Sequence, residues 1–439
     1  MKFSTRFIVA LAGLLAVLLV AAVLLGGTDT NTGRTVVTVR LWDPQVAAAY
    51  RASFAEFTTA HPDIEVRVDV VAFSSYFDSL RTDVAGGGAD DIFWLSNAYL
   101  PAYADTGRLL DLGALAEKAP DWDHAVVEQF TRGGALRAVP QLTDAGIAVY
   151  YNADLLAAAG IDPAVLSTAH WSPGPDDTLR PLLARLTVDR NGVRADAPGF
   201  DAQQTRQWGY NAANDMQGIY LNYIGSAGGV FQDGDRFAFD NPGAATTFAY
   251  LVRLINEDRV SPPASDTNDN GDFSRNQFLA GRMALFQSGT YNLAAIADQA
   301  RFRWGVARLP SGPCGRVSVT NGIAAAGNSA TRHPEAVRTV LAWMGSAQGN
   351  AFVAAGGAAI PATLAAQRTY FDYWSGRHVD VRPFFDVLDG PRIPAPGGAG
   401  FPAGFRSLKP FFDEMFLGRA AVASTLAQAQ QAANSAAQR

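Results

Sequence analysis

Asp266, Asn268 and Asn270 alternate along the run DTNDNG (266–271), with Gly271 at the turn, which is the first half of an EF-hand calcium loop. Its twelfth position is Gln277, where such a loop needs a bidentate Glu, and no second loop follows, so the run reads as a solvated loop ahead of a helix. The histidines at 61, 124, 170, 333 and 378 show no HExxH or other ligand spacing. The single cysteine, Cys314, can form neither an internal disulfide nor a thiolate cage. Glycines 86–88, followed by Ala89-Asp90-Asp91, make a turn before a strand and not a phosphate cradle, and no G-x-S-x-G elbow is present. These counts leave no metal and no cofactor to expect. What remains is a set of flat aromatic rings beside short polar side chains. Trp42 and Asp43 end the β-branched run 36–41, and Ser96 and Asn97 end the run DIFWL (91–95). Such pairs at the carboxyl ends of strands stand where the loops of an open α/β sheet converge on ligands.

The elements that position these residues begin with a segment of a different kind. Lys2 and Arg6 precede an uncharged apolar run, 7–25, followed by Gly26 and Gly27. As a helix that run spans about 28 Å, close to the hydrocarbon thickness. The flanking positive charges put the N-terminus inside and the chain after residue 28 outside. Residues 1–27 therefore read as a signal anchor, with a cleaved signal peptide as the alternative, and 28–35 as a polar tether. The formal charge of −6 carries no basic block, which removes the electrostatic footprint a nucleic-acid partner requires.

Beyond the tether, strand and helix patterns alternate. Residues 36–41 are a strand, 46–60 a helix with Tyr50, Phe54 and Phe57 on one face, and 64–71 a strand of period two. A helix over 76–85 and a buried strand over 91–95 follow, then strands over 138–140 and 146–151 and a helix over 153–159. Further helices are expected over 248–256 and 334–345, and short strands over 284–286 and 304–309. This is the pattern of a parallel α/β sheet. The Pro- and Gly-rich stretches at 172–175, 261–263 and 391–404 are too short to separate independent domains.

Five ordered segments then carry a family likeness. They are LWDP (41–44) with HPDIEVRVDVV (61–71), YFDSLRTDVAGGGADDIFWLSN (76–97) with YADTGRLLDL (103–112), VPQLTDAGIAVYYNADLLAAAGID (139–162), FLAGRMALFQSGTYNL (278–293), and TNGIAAAGNSATRHPEAVRTVLAWM (320–344). Through them the sequence resembles the extracellular solute-binding proteins of ABC transporters, in the maltose-binding-like sugar-binding group. The resemblance implies an α/β, two-lobed periplasmic-binding-protein fold of type II, with a hinge of several chain crossings and a ligand cleft between the lobes. One lobe would hold 36–142 and 321–360, the other 143–320 and 361–439, with crossings near 143–144, 320–321 and 360–361.

A sugar offers apolar ring faces and a rim of hydroxyls, so its site needs aromatic plates and hydrogen-bonding groups. By the resemblance Trp42 and Asp43, Asn97, and Asp144 at the first crossing are ligand residues, and Tyr291 takes the place of the family's stacking Trp. Gly289 would let backbone approach the ligand. Asn321 and Gly322 at the second crossing, Asn214 and Asp215 in YNAANDMQ, Tyr76 at a helix start, and Phe405 with Arg406 after a Gly/Pro loop complete the candidate set. Core packing, turn formation or a surface ion pair is the plainer role for each. The implied function is non-enzymatic: a monomeric binding component that captures a sugar-like solute outside the cytoplasmic membrane and passes it to permease subunits, held by its N-terminal helix. Two alternatives stay open. One is an exported glycoside-acting enzyme, which needs two carboxylates about 5–10 Å apart, for which Asp43 and Asp144 are candidates. The other is a binder of a non-sugar solute such as a glycerophosphodiester.

Overall fold

Val37, Val39 and Leu41, all fully buried, draw the first strand, Thr35–Leu41 (β1), into the centre of a sheet in the computed structural model, which describes residues 33–438. The apolar run 7–25 lies outside the described residues. Among those described, no helix is long and apolar enough to cross a membrane. Asp43 caps the helix Pro44–Ala60 (α1) by accepting from the Gln45 and Val46 amides, and Pro44 supplies a preset first turn. One face of α1 buries Val46, Tyr50, Phe54 and Phe57 at helical spacing. The strand Ile64–Val70 (β2) then pairs parallel with β1.

The next helix, Phe73–Gly86 (α2), starts three residues before the expected position and ends at Gly87, whose φ of 75° closes it in the left-handed region. Every residue of the strand Ile92–Ser96 (β3) is buried. The strands Val139–Thr143 (β4), Ala148–Asn152 (β5), Leu285–Ser288 (β6), Trp304–Arg308 (β7) and Gly322–Gly327 (β8) complete the two main sheets. The first sheet runs β2-β1-β3-β8-β4, with β1 parallel to β2 and β3 and β8 antiparallel to both its neighbours. The second runs β6-β5-β7 and is wholly antiparallel, which corrects the parallel alternation expected along the whole chain. Strand composition carries no direction; β6 and β7, joined through the helix Leu293–Gln299, flank β5 and both run against it.

The apolar residues sort into separate cores. One gathers β1, α1, α2 and β3 with the helix Pro334–Met344 (α3). A larger one gathers Trp171, Tyr210, Tyr220 and Phe248 with the last two helices, Phe401–Phe416 (α4) and Val422–Ala437 (α5). A third surrounds Tyr150, Phe278, Tyr370, Trp374 and Phe384 beside the β5–β6–β7 sheet. The molecule is thus a two-lobed α/β binding-protein fold. Three stretches of chain lie side by side after β4, before β8 and at residues 360–362. The Thr143 amide donates to the Ile360 carbonyl (3.1 Å), the Asp144 amide to the Asn321 carbonyl (2.8 Å), and the Ala362 amide to the Gln141 carbonyl (2.9 Å).

Candidate functional site: the interlobe cleft

The carboxyl ends of β1 and β3 build the first wall. The half-buried Trp42 ring sits edge-on against Tyr76 (4.8 Å between centroids), Trp94 (5.0 Å) and Phe73 (5.7 Å), so packing fixes its pose. Asp43 spends Oδ1 on the α1 cap. Burial pushes its carboxyl above the ordinary range, against the pull of the Val46 and Gln45 amides and the charge of Arg275. Arg275 belongs to the helix Phe273–Leu279 on the opposite lobe, so the two walls are within electrostatic reach. The Asn97 Oδ1, at the end of β3, is buried with no hydrogen-bond partner in the protein.

Asp144 and Asn321 meet at the crossing. The Asp144 Oδ2 accepts from Gln217 Nε2 at 3.0 Å, and burial raises its pKa to about 7 despite that bond. The Asn321 Oδ1 is a second buried acceptor without a protein partner. The second wall rises from Met216–Tyr220, a single π-helical turn, a form found often at functional sites. Asp215 caps that turn through the Gly218 amide at 2.9 Å. Buried Gln287 supports it from behind: its Nε2 donates to the Gly218 carbonyl at 2.7 Å while its Oε1 accepts from the Tyr210 hydroxyl.

Tyr291 follows β6 and keeps 37 % of its surface accessible to water. Protein atoms nevertheless crowd it enough to push its hydroxyl well above the ordinary value, with the charges of Asp215 and Asp144 adding to the effect. Asp215 combines the same properties: it is exposed, yet its carboxyl is raised by desolvation. Gln217 bonds Asp144, the charges of Asp144 and Asp215 both act on the Tyr291 hydroxyl, and that of Arg275 acts on Asp43, so these groups are near neighbours. A concavity of about 570 Å³ lined by Asp177, Arg180 and Arg259 shares none of these residues and lies on another face of the second lobe.

The remaining candidates divide. Tyr76 is wholly buried, and its hydroxyl lies 3.0 Å from the Trp94 carbonyl and 3.1 Å from that of Arg40, so it supports Trp42 and cannot touch a solute. Gly289 offers no open backbone: a Cβ there would stand 2.3 Å from Tyr291 Cε1, because the tyrosine ring folds back over it. Gly322 is glycine because β8 packs closely on the helix His124–Gln129, where a Cβ would meet Val126 Cγ1 at 2.8 Å. Asn214 donates to Asp413 Oδ1 at 2.9 Å and is occupied within the second lobe. Asn268 of the calcium-like run likewise donates to the Asp413 carbonyl, and Asp269 pairs with Lys409. Phe405 is half-buried, stacked on Phe401 at 5.4 Å, and exposed Arg406 reaches Asp78 of the other lobe at 4.0 Å. Sequence reasoning missed Phe73, the most exposed large apolar side chain among the described residues at 62 %, together with Gln217 and Arg275. Phe73 had a signal, as the first aromatic of FSSYF; Gln217 and Arg275 had none.

Two lobes, a set of side-by-side crossings and a cleft walled by aromatic and polar groups from both sides define a solute-binding protein. The chain belongs to the bacterial extracellular solute-binding protein family, whose sequence profile matches residues 43–351. It is similar to Mycobacterium tuberculosis UspC, with 71 % identity, a TM-score of 0.72, and coverage of 92 % of this chain and 100 % of that one. An ABC substrate-binding protein of Listeria monocytogenes, solved in complex with cycloalternan, shares the fold at 19 % identity and a TM-score of 0.78, covering 92 % of this chain and 98 % of that one. A probable ABC transporter-binding protein of Deinococcus radiodurans is 27 % identical over 249 residues, a match that spans 55 % of each chain.

Proposed function

We propose that this chain is the substrate-binding component of an ABC importer, capturing a carbohydrate or sugar-derived solute outside the cytoplasmic membrane and delivering it to permease subunits. The observation that carries the proposal is the partly exposed Tyr291 ring after β6 together with the acceptor oxygens of Asp144, Asn97 and Asn321, the last two without a protein partner. A flat plate with hydrogen-bond acceptors at its rim suits a pyranose, whose ring faces are apolar and whose edge carries donors. The unpartnered acceptors Asn97 Oδ1 and Asn321 Oδ1 favour a ligand rich in hydroxyls, since an unmet buried acceptor costs about 1–3 kcal/mol. The relative solved with cycloalternan supports the same class.

In this reading the lobes are 36–142 with 321–360 and 143–320 with 361–439, and the three side-by-side crossings are the hinge on which they close. Trp42, Asp43, Asn97, Asp144, Asp215, Tyr291 and Asn321 hold the solute, with Phe405 and Arg406 at one flank. Residues 1–27 direct the protein to the outer face of the membrane, as a retained anchor or as a signal peptide that is cleaved, and it works as a monomer. A thermal-shift screen of the full chain against saccharides and glycerophosphodiesters tests the proposal. At least one saccharide should stabilise the chain without being cleaved. Stabilisation by the phosphodiesters alone, or turnover of an oligosaccharide, would move the protein to one of the other two classes.

A further inference from the structure

One flank of the cleft is occupied by the protein itself. Asn97, Ala98 and Tyr99 leave the end of β3 and press into the opposite lobe, where Ala98 is 6 % exposed within the second lobe's core. Tyr99 packs against both cores. Its ring stacks on Phe77 of α2 with centroids 3.6 Å apart and planes at 2°, and meets Phe401 of α4 edge-on at 6.2 Å. Phe77 touches Trp42 at 5.6 Å, and Phe401 stacks on Phe405 at 5.4 Å, so one aromatic line runs from the first wall to the second. Beside it Asp78 faces Arg406 at 4.0 Å, and both charges act on the Tyr99 hydroxyl, which burial raises to about 12.

The partner surface on the second lobe is held firmly. Gly397 exchanges two hydrogen bonds with the Gln232 side chain, at 2.6 and 2.7 Å, and a Cβ on Gly397 would stand 3.5 Å from the Asn97 carbonyl and Ala98 Cα. At Gly400 a Cβ would collide with the Ala437 carbonyl at 2.3 Å, so α4 and α5 are locked together behind the contact. Stacked rings and close backbone thus join residues 97–99 to the segment 397–406.

We infer that residues 97–99 and 397–406 form a strut that blocks the Asn97 flank of the cleft, so that the ligand is a short saccharide held by one end and not an internal stretch of a longer chain. Tyr99 and Arg406 are then specificity-determining residues for ligand length. This rests on the carbohydrate reading above, and the test separates the two.

The strut is read first without ligand. The full chain carrying Asp78→Cys, Arg406→Cys and Cys314→Ser is treated with a short bismaleimide. Most molecules should cross-link internally, and cross-linking no greater than in the single-cysteine controls would overturn the strut. Length selectivity is then read by thermal shift and titration with di-, tri- and hexasaccharides of α-1,4-linked glucose and of β-1,4-linked N-acetylglucosamine. The disaccharide or trisaccharide should bind the unaltered protein about tenfold or more tighter than its hexasaccharide, and Tyr99→Ala or the milder Arg406→Ala should narrow that gap. Equal binding of short and long members would overturn the length inference. Absence of any saccharide binding would remove the carbohydrate reading and the short-saccharide claim with it, while the cross-link still reports the strut.

Discussion

Tyr291 owes its pose to a glycine two residues earlier. Its ring lies where a Cβ on residue 289 would be, 2.3 Å from Cε1, and the obstacle is a rotatable side chain and not backbone. Gly289→Ala should therefore fold normally but swing the ring off the cleft wall. Loss of an aromatic contact is worth about 1 kcal/mol, so affinity for the bound saccharide should fall about fivefold with little change in Tm. Titration checks this, and unchanged affinity would mean that the ring does not touch the ligand. Asp144 gives a pH signature. Its folded pKa of about 7 lies above its ordinary 3.8, so the folded protein holds the proton more tightly than the unfolded chain. That contribution is full below pH 3.8 and is lost as the pH rises through 7, so ligand-free stability should decline across this window. Asp144→Asn should flatten the decline measured by Tm against pH, leaving the smaller slope from Asp43 and Asp215, whose pKa values are raised in the same sense. A slope identical to that of the unaltered protein would show that Asp144 ionises freely. Much of this scale was legible. The end of β1 at Trp42 and Asp43 is legible, but α1 begins at Pro44, two residues before the expected 46, and α2 begins at Phe73 after Ala72, which offers no capping side chain. Without a start, the phase of FSSYF was undetermined, and Tyr76 was chosen where Phe73 is the exposed ring.

At the scale of elements, the second wall depends on how the π-helical turn Met216–Tyr220 is held. Gln287 in β6 receives the Tyr210 hydroxyl, donates to the Gly218 carbonyl and exchanges backbone bonds with the Asn211 side chain. The turn in turn presents Asp215, and Gln217 to Asp144. Gln287→Met would keep the volume and strand both partners, each at about 1–3 kcal/mol. Urea unfolding should show a loss of about 2–5 kcal/mol, and titration should show weaker ligand binding as the turn relaxes. Lost stability with unchanged affinity would mean that the turn holds its shape without Gln287. Sequence reading placed a strand over 284–286, one residue short of Gln287, and found neither its burial nor the turn it supports, because a π-turn has no spacing of its own. The antiparallel second sheet was hidden for a related reason: alternating apolar residues mark a strand but not its direction.

At the scale of the whole molecule, ordered motifs along the chain made the two-lobed architecture legible before any coordinates. They led to an expectation of crossings near residues 143, 320 and 360, and segments 141–144, 321 and 360–362 exchange backbone hydrogen bonds. The strut was not legible, since Asp78 and Arg406 are far apart in sequence and meet only in the folded chain. The central claim is that this interlobe cleft holds a carbohydrate against Tyr291. Calorimetric titration of the unaltered full chain and of Tyr291→Ala, with the saccharide that stabilises the chain most, tests it directly. The account predicts one site per chain and at least about tenfold weaker binding in Tyr291→Ala, with the variant's Tm otherwise preserved. Equal affinity in the two proteins would contradict it.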